Sequence, residues 1–356
     1  MMRVLIVKVS SLGDVIHTLP ALTDARNAIP DIEFDWIVEE AVCEIPAWHP
    51  AVKKVIPLAL RRWRKNLLTL FFNQEYRRFK RQLKNANYDL VIDAQGLIKS
   101  SMITAMVPAR SAGFDKDSIR EKFAARAYDE NYSVSWKQHA VERTRELFAK
   151  ALDYTPPETE ADYGIAVENF RQEASLNHKS ILFLHGTTWE TKLWPETYWQ
   201  ELGRLVAGHG YQVSLLWGSD AEKSRALRIA DSIPNAIVNE RLSLAEIARL
   251  MCHSECIVAV DTGLAHMAAA LGRPTVALYG PSDARRTGTY GKNQQHLQAT
   301  LSCSPCLSKT CTYQGKDLEP GVRADVFSVQ PPCFSTLKPA LVWQQIRLAI
   351  PESLES

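Results

Sequence analysis

The sequence predicts an α/β protein made of two doubly wound parallel-sheet domains. Three observations carry this expectation. Short apolar runs recur along all 356 residues, amphipathic stretches of helical period separate them, and one proline- and acid-rich stretch near the middle breaks the rhythm. The length suits two domains rather than one.

The runs "RVLIVKV" (3–9), "FDWIVE" (34–39), "DLVIDA" (89–94), "SILFLHG" (180–186), "QVSLLWG" (212–218), "CIVAVDTG" (256–263) and "PTVALYG" (274–280) read as strands. They are apolar on both faces, as parallel strands covered by helices must be. Between them "HAVERTRELFAKAL" (139–152) and "PETYWQELGRLVAGHG" (195–210) have the spacing of half-buried helices. "DYTPPETEADYG" (153–164) has no period and reads as the linker. The expected domains are therefore 1–155 and 156–335. A last helix within 336–356 is expected to pack back toward the first domain. Two such domains would face one another across a cleft, with ligands beyond the carboxyl ends of the strands.

Composition narrows the function. The net charge of +2 creates no global field for nucleic acid, so no nucleic-acid partner is expected. No signal-peptide plan opens the chain, and no apolar run reaches the ~18 residues of a membrane span. A cytoplasmic protein follows, free to touch a membrane surface. Seven cysteines, an odd number, point to reduced thiols.

The strand ends hold the chemistry. After the first strand comes "SSLGD", with a single glycine, Gly13, and an acid, Asp14, where a phosphate loop would be glycine-rich. Other ends in the first half contribute Glu39, Glu40, Asp93, Gln95 and Lys99, which are proton-accepting and hydroxyl-binding types. In the second half Thr187, Thr188 and Lys192 cluster before a helix and suit an anion. Glu222 suits a ribose diol or a first-turn helix acid, and Asp261-Thr262-Gly263 opens a helix whose free N–H groups suit phosphate. Each turn alone is compatible with an ordinary capped helix. Together they favour a nucleotide diphosphate held without a metal. Residues 61–84 carry nine Lys or Arg against one Glu, interleaved with Trp63, Leu67, Leu68, Leu70, Phe71 and Phe72, a mixture suited to an anionic amphiphile.

The motifs "KVSSLGDVIHTLPAL", "DAQGLIKS", "HAVERTREL", "KLWPE" and "VDTGLAHMAAALGRPTVALYGPSD" together resemble the lipopolysaccharide heptosyltransferases, inverting family 9 glycosyltransferases of GT-B architecture. The resemblance spans most of residues 2–300. "FDWIVEE", "RRWRK" and "DAQGLIKS" look closer to the heptosyltransferase I branch, which acts on Kdo-lipid A, than to the heptosyltransferase II branch. It implies an ADP-L-glycero-β-D-manno-heptose donor, a Kdo-lipid A acceptor, no required cofactor, and a peripheral place on the cytoplasmic face of the inner membrane. Asp14 matches the catalytic base. Thr187, Thr188, Lys192, Glu222, Asp261, Thr262, Gly263, Leu264 and His266 match donor contacts, with Ser11 and Gly13 grouped beside them. Arg61, Arg62, Arg64 and Lys65, with Gln95, Lys99, Arg120 and His139, are assigned to the acceptor. Second-heptose transfer, a sugar-nucleotide epimerase and a non-catalytic lipid A-binding protein are the alternatives. Cys303, Cys306, Cys311 and Cys333 form a tail compatible with a structural zinc, and no other metal is expected.

Overall fold

Two compact units, Met1–Ala166 and Val167–Ser356, make up the computed structural model, which describes residues 1–63, 73–171 and 179–350. The first unit contains β1 (Met2–Val7), β2 (Ile32–Glu39), β3 (Val52–Leu58), β4 (Leu90–Asp93), β5 (Ser111–Phe114) and β6 (Glu130–Tyr132). They form one sheet in the order β3-β2-β1-β4-β5-β6, parallel throughout. The second contains β7 (Ser180–Leu184), β8 (Gln212–Leu215), β9 (Ile237–Val238), β10 (Cys256–Val260), β11 (Thr275–Tyr279) and β12 (Gln294–Gln298). Its order is β12-β11-β10-β7-β8-β9, again parallel. Counted within its own unit, each sheet has the doubly wound Rossmann order. The strand order reverses between β1 and β4 in one and between β7 and β10 in the other, and ligands bind at such switch points.

The central strands are the apolar runs read from the sequence. Val4, Leu5, Ile6 and Val7 of β1 and Ile257, Val258, Ala259 and Val260 of β10 are fully buried, as strands covered on both faces require. In the second unit Trp194 and Trp199 meet edge-on with ring centroids 5.0 Å apart, and Trp194 Nε1 donates to the Leu337 carbonyl at 3.0 Å. The "KLWPE" motif is thereby tied to the C-terminal segment of its own unit.

The two compact units divide a little later than the linker's start. The proline-rich stretch belongs to the first unit, because the buried Arg145 guanidinium pairs with Asp24 at 2.6 Å and donates to the carbonyls of Pro157 at 3.4 Å and Thr159 at 3.1 Å. The division therefore falls after Ala166 rather than at 155. Within the second unit the terminal helix, Pro339–Ala349, packs on helix Glu196–Gly208 and on β10–β12. Its apolar face, Val342, Trp343 and Ile346, completes the core of the second unit.

Candidate active site

The chemistry-bearing groups collect at the two switch points. In the second unit Lys192, in the loop after β7, places Nζ 2.6 Å from Oδ2 of Asp261, the residue that follows β10. Thr187 Oγ1 donates to the Asp261 carbonyl at 3.1 Å. His266 Nε2 lies 4.0 Å from Asp261 Oδ1. Thr262 precedes helix Gly263–Ala270 and supplies no side-chain cap, so the first N–H groups of that helix remain available to an anion. Leu264 is half-buried and Thr188 exposed beside them.

Glu222 opens helix Asp220–Ala230 in a capping box with Ser219. Its Oε2 accepts from the N–H groups of Gly218 at 2.8 Å and Ser219 at 3.1 Å. Oε1 lies over Gly186, where an added Cβ would stand only 2.7 Å from it. Glu222 thus serves its helix and also faces the turn after β7.

Sequence reasoning missed the support of this cradle. Trp189 holds Lys192 Nζ 4.3 Å and Lys309 Nζ 5.3 Å from its ring centroid, within cation–π range. Thr191 Oγ1 donates to the Ser308 carbonyl at 2.7 Å. The segment around Cys306 is therefore fastened to the Lys192 loop. No sequence signal marks this, since the partners are more than a hundred residues apart.

In the first unit Ser11 donates its N–H and Oγ to Asp14 Oδ2, at 2.7 and 2.8 Å. Asp14 is half-buried in the first turn of helix Leu12–Ile16, Gly13 is buried beside it, and Ser11 is exposed. Both Ser11 bonds fall on Oδ2. Gln95, just past β4, accepts on Oε1 from Val9 N–H and Ser10 N–H, both at 3.0 Å. Lys99 Nζ donates to Ser10 Oγ at 3.2 Å. Gln95 and Lys99 are thus engaged with the turn that carries Asp14. Under the turn, Lys8 Nζ donates to the Ala94 carbonyl at 2.8 Å. Burial lowers the Lys8 pKa, while the nearby Asp14 and Asp93 oppose that shift. The signal was present: a lysine inside an apolar strand must be paired.

The basic group is dispersed. Arg62 donates to both carboxylate oxygens of Glu75, at 2.8 and 2.9 Å, and to Glu40 at 3.1 Å. It is thus ion-paired to two carboxylates while its side chain stays half exposed. Arg61 gives its backbone N–H to Glu39 at 3.2 Å and is exposed, as is Arg120. His139 caps helix Ala140–Leu152 through Nδ1 and meets His17 edge-on at 5.5 Å. Arg64 and Lys65 lie outside the described residues. Helix Gln74–Lys84 buries Phe79 and Leu83 and exposes Arg77, Arg78, Arg81 and Lys84.

The four tail cysteines, all free thiols, line one cavity of about 380 Å³. Yet no group of three or more His, Cys, Asp or Glu among the described residues is disposed to hold a metal ion. Burial pushes the Cys333 thiol up to about 12, and neighbouring Cys303, Cys311 and Cys306 add to the shift. A metal ion would reverse that shift, because it deprotonates the thiols that bind it.

Each of the two Rossmann-like sheets carries polar and charged groups at its switch point, where ligands bind in such folds. The model for glycosyltransferase family 9 (heptosyltransferase) matches residues 76–316, and the chain belongs to that family and is a glycosyltransferase. A lipopolysaccharide heptosyltransferase 1 of Pseudomonas aeruginosa is 54% identical, with 99% of this chain and 100% of the relative covered. The solved structure of E. coli heptosyltransferase WaaC with ADP is 46% identical, at a TM-score of 0.79, with 84% of this chain and 94% of that one covered. The same enzyme with ADP-2-deoxy-2-fluoro heptose gives a TM-score of 0.77 at the same identity and coverage. The GT-B architecture and the heptosyltransferase resemblance drawn from the motifs hold.

Proposed function

We propose that this protein transfers L-glycero-D-manno-heptose from ADP-heptose to a Kdo residue of Kdo-lipid A, with inversion at the anomeric carbon. The observation that carries the reading is the Lys192–Asp261–Thr187 group at the β7/β10 switch point. It stands on a scaffold 46% identical to a structure solved with a fluorinated ADP-heptose.

The chemistry follows from the residues. As the acceptor oxygen attacks the anomeric carbon, its proton passes to the carboxylate of Asp14. The bond from that carbon to the β-phosphate oxygen breaks, and negative charge grows on the leaving ADP. Lys192, the hydroxyls of Thr187 and Thr188 and the N–H groups at Gly263 meet that charge. Asp261 keeps Lys192 in place before the donor arrives. Glu222 Oε1 accepts from the ribose hydroxyls. Arg61, Arg120 and the exposed cations of helix Gln74–Lys84 attract the anionic lipid acceptor and the membrane surface that carries it. No described helix is long and apolar enough to cross a membrane, which accords with a peripheral protein on the cytoplasmic face of the inner membrane.

The test is an acceptor panel with ADP-heptose, read by mass spectrometry. A single added heptose on Kdo-lipid A, in the presence of EDTA, is expected. Transfer only to an acceptor that already carries one heptose would replace this reading with second-heptose transfer. No transfer to any acceptor would end it.

A further inference from the structure

Three successive amides of the turn after β1 have side-chain acceptors. Ser11 N–H is held by Asp14 itself at 2.7 Å. Val9 N–H and Ser10 N–H are held by one atom, Gln95 Oε1, at 3.0 Å each. Both neighbours of that oxygen are donors, so the amide can stand only this way round. Gln95 is in turn fixed from behind. Its own N–H and that of Gly96 donate to Asp93 Oδ1, at 2.8 and 3.0 Å, and Asp93 Oδ2 accepts from Tyr128 at 2.7 Å. Asp93 and Tyr128 are buried. Lys99 Nζ on Ser10 Oγ and Lys8 Nζ on the Ala94 carbonyl close the clasp from either side.

We propose that Gln95 is a positioning residue for the transfer reaction, fixing the Val9–Ser11 backbone and with it the direction in which Asp14 presents its carboxylate to the acceptor hydroxyl. This rests on the reading of Asp14 as the base. A carboxylate that takes a proton in flight must lie within a few tenths of an ångström of its reacting position. The short turn holds it through the Ser11 N–H and hydroxyl, and the turn in its place leans on Gln95 and Lys99. Replacing Gln95 with an apolar side chain leaves two N–H groups without their acceptor and frees the turn. A glutamate keeps an acceptor oxygen but adds a negative charge on the same turn.

The test compares Gln95→Met, Gln95→Glu, Asp14→Asn and the Asp14→Asn/Gln95→Met double variant in steady-state transfer of heptose to Kdo-lipid A. Gln95→Met is expected to lower kcat about 10- to 100-fold with both KM values within about twofold of wild type. The double variant should be no slower than Asp14→Asn alone, because a misdirected base that is already absent costs nothing more. Gln95→Glu keeps an acceptor oxygen for the Val9 and Ser10 N–H groups and should recover most of kcat. Should Gln95→Met not fold, Gln95→Asn, whose amide is one methylene short of those N–H groups, takes its place in the same cycle with Asp14→Asn. Unchanged kcat with a raised acceptor KM, or a full multiplicative loss in the double variant, would overturn the inference. Full activity in Asp14→Asn would instead remove the base assignment on which it stands.

Discussion

Lys192 Nζ and Asp261 Oδ2 lie 2.6 Å apart, so the cation after β7 and the carboxylate after β10 meet across the switch point of the second sheet. Both side chains are largely buried, at 17% and 9% exposure, which keeps the pair from being a freely solvated one. On the proposed reading this ammonium meets the diphosphate of the donor. Lys192→Met should weaken ADP about 10- to 100-fold, the scale of one charge-assisted hydrogen bond. Calorimetric titration with ADP measures it, and an unchanged Kd would remove Lys192 from the cradle.

Asp14 stands in the other unit and should affect chemistry alone. Asp14→Asn is expected to lower kcat about 10²- to 10⁴-fold, the usual yield of a positioned base. Its ADP affinity should stay within a factor of about two. Parallel kinetics and titration separate the two effects, and a matching loss of ADP binding would contradict the division of labour.

Gly186 leaves room for Glu222. An added Cβ would stand 2.7 Å from Glu222 Oε1, nearer than real Cβ atoms come, so the carboxylate must move. Gly186→Ala should weaken ADP about tenfold while ADP-independent melting shifts by only a few degrees. Equal ADP binding in the variant and wild type would show that Glu222 does not touch the nucleoside.

Acid should loosen both units. His49 Nδ1 accepts from Ala51 N–H at 3.1 Å, and Nε2 bonds Thr23 Oγ1 at 2.9 Å, which defines a neutral ring. Burial, with Arg26 nearby, lowers its pKa from 6.5 to about 4. Burial, with Arg225 nearby, does the same for His185 in the second unit, also to about 4. An unfolded histidine takes up its proton near 6.5, so the unfolded chain binds more protons between those values. The contribution is complete above about pH 6.5 and is lost as pH falls toward 4, up to about 3 kcal/mol for each ring. Melting midpoints from pH 7.5 to 5.5 should fall for wild type and fall less for His49→Gln. Parallel slopes would rule His49 out.

The strands that could be read from the sequence are those buried on both faces. β1, β2, β4, β7, β8, β10 and β11 appear as apolar runs. β3, β6, β9 and β12 do not, and each ends its sheet or nearly so. An edge strand has neighbours on one side only and tolerates residues such as the "QQHLQ" of β12. β5 escaped for another reason: "SAGF" is built of small residues, and Tyr128 lies against Gly113, where a Cβ would come within 2.3 Å of its ring. Small residues chosen for close packing carry no periodic signal.

The sequence by itself determined the doubly wound α/β class, the anion-binding types after β7 and β10, and the carboxylate of Asp14. These are local properties: an apolar run, a capping residue and a helix start are written in adjacent letters. Tertiary structure alone decided which of those residues are spent on one another. Arg62 is taken by Glu75 and Glu40, Gln95 by the amides of Val9 and Ser10, and Lys192 by Asp261. Each pair joins residues separated in the chain by a dozen or more positions. A charged or amide side chain looks available in sequence because its partner is brought to it only when strands 4.8 Å apart are laid side by side. That pairing, rather than the local sequence, sets where each of these side chains is held.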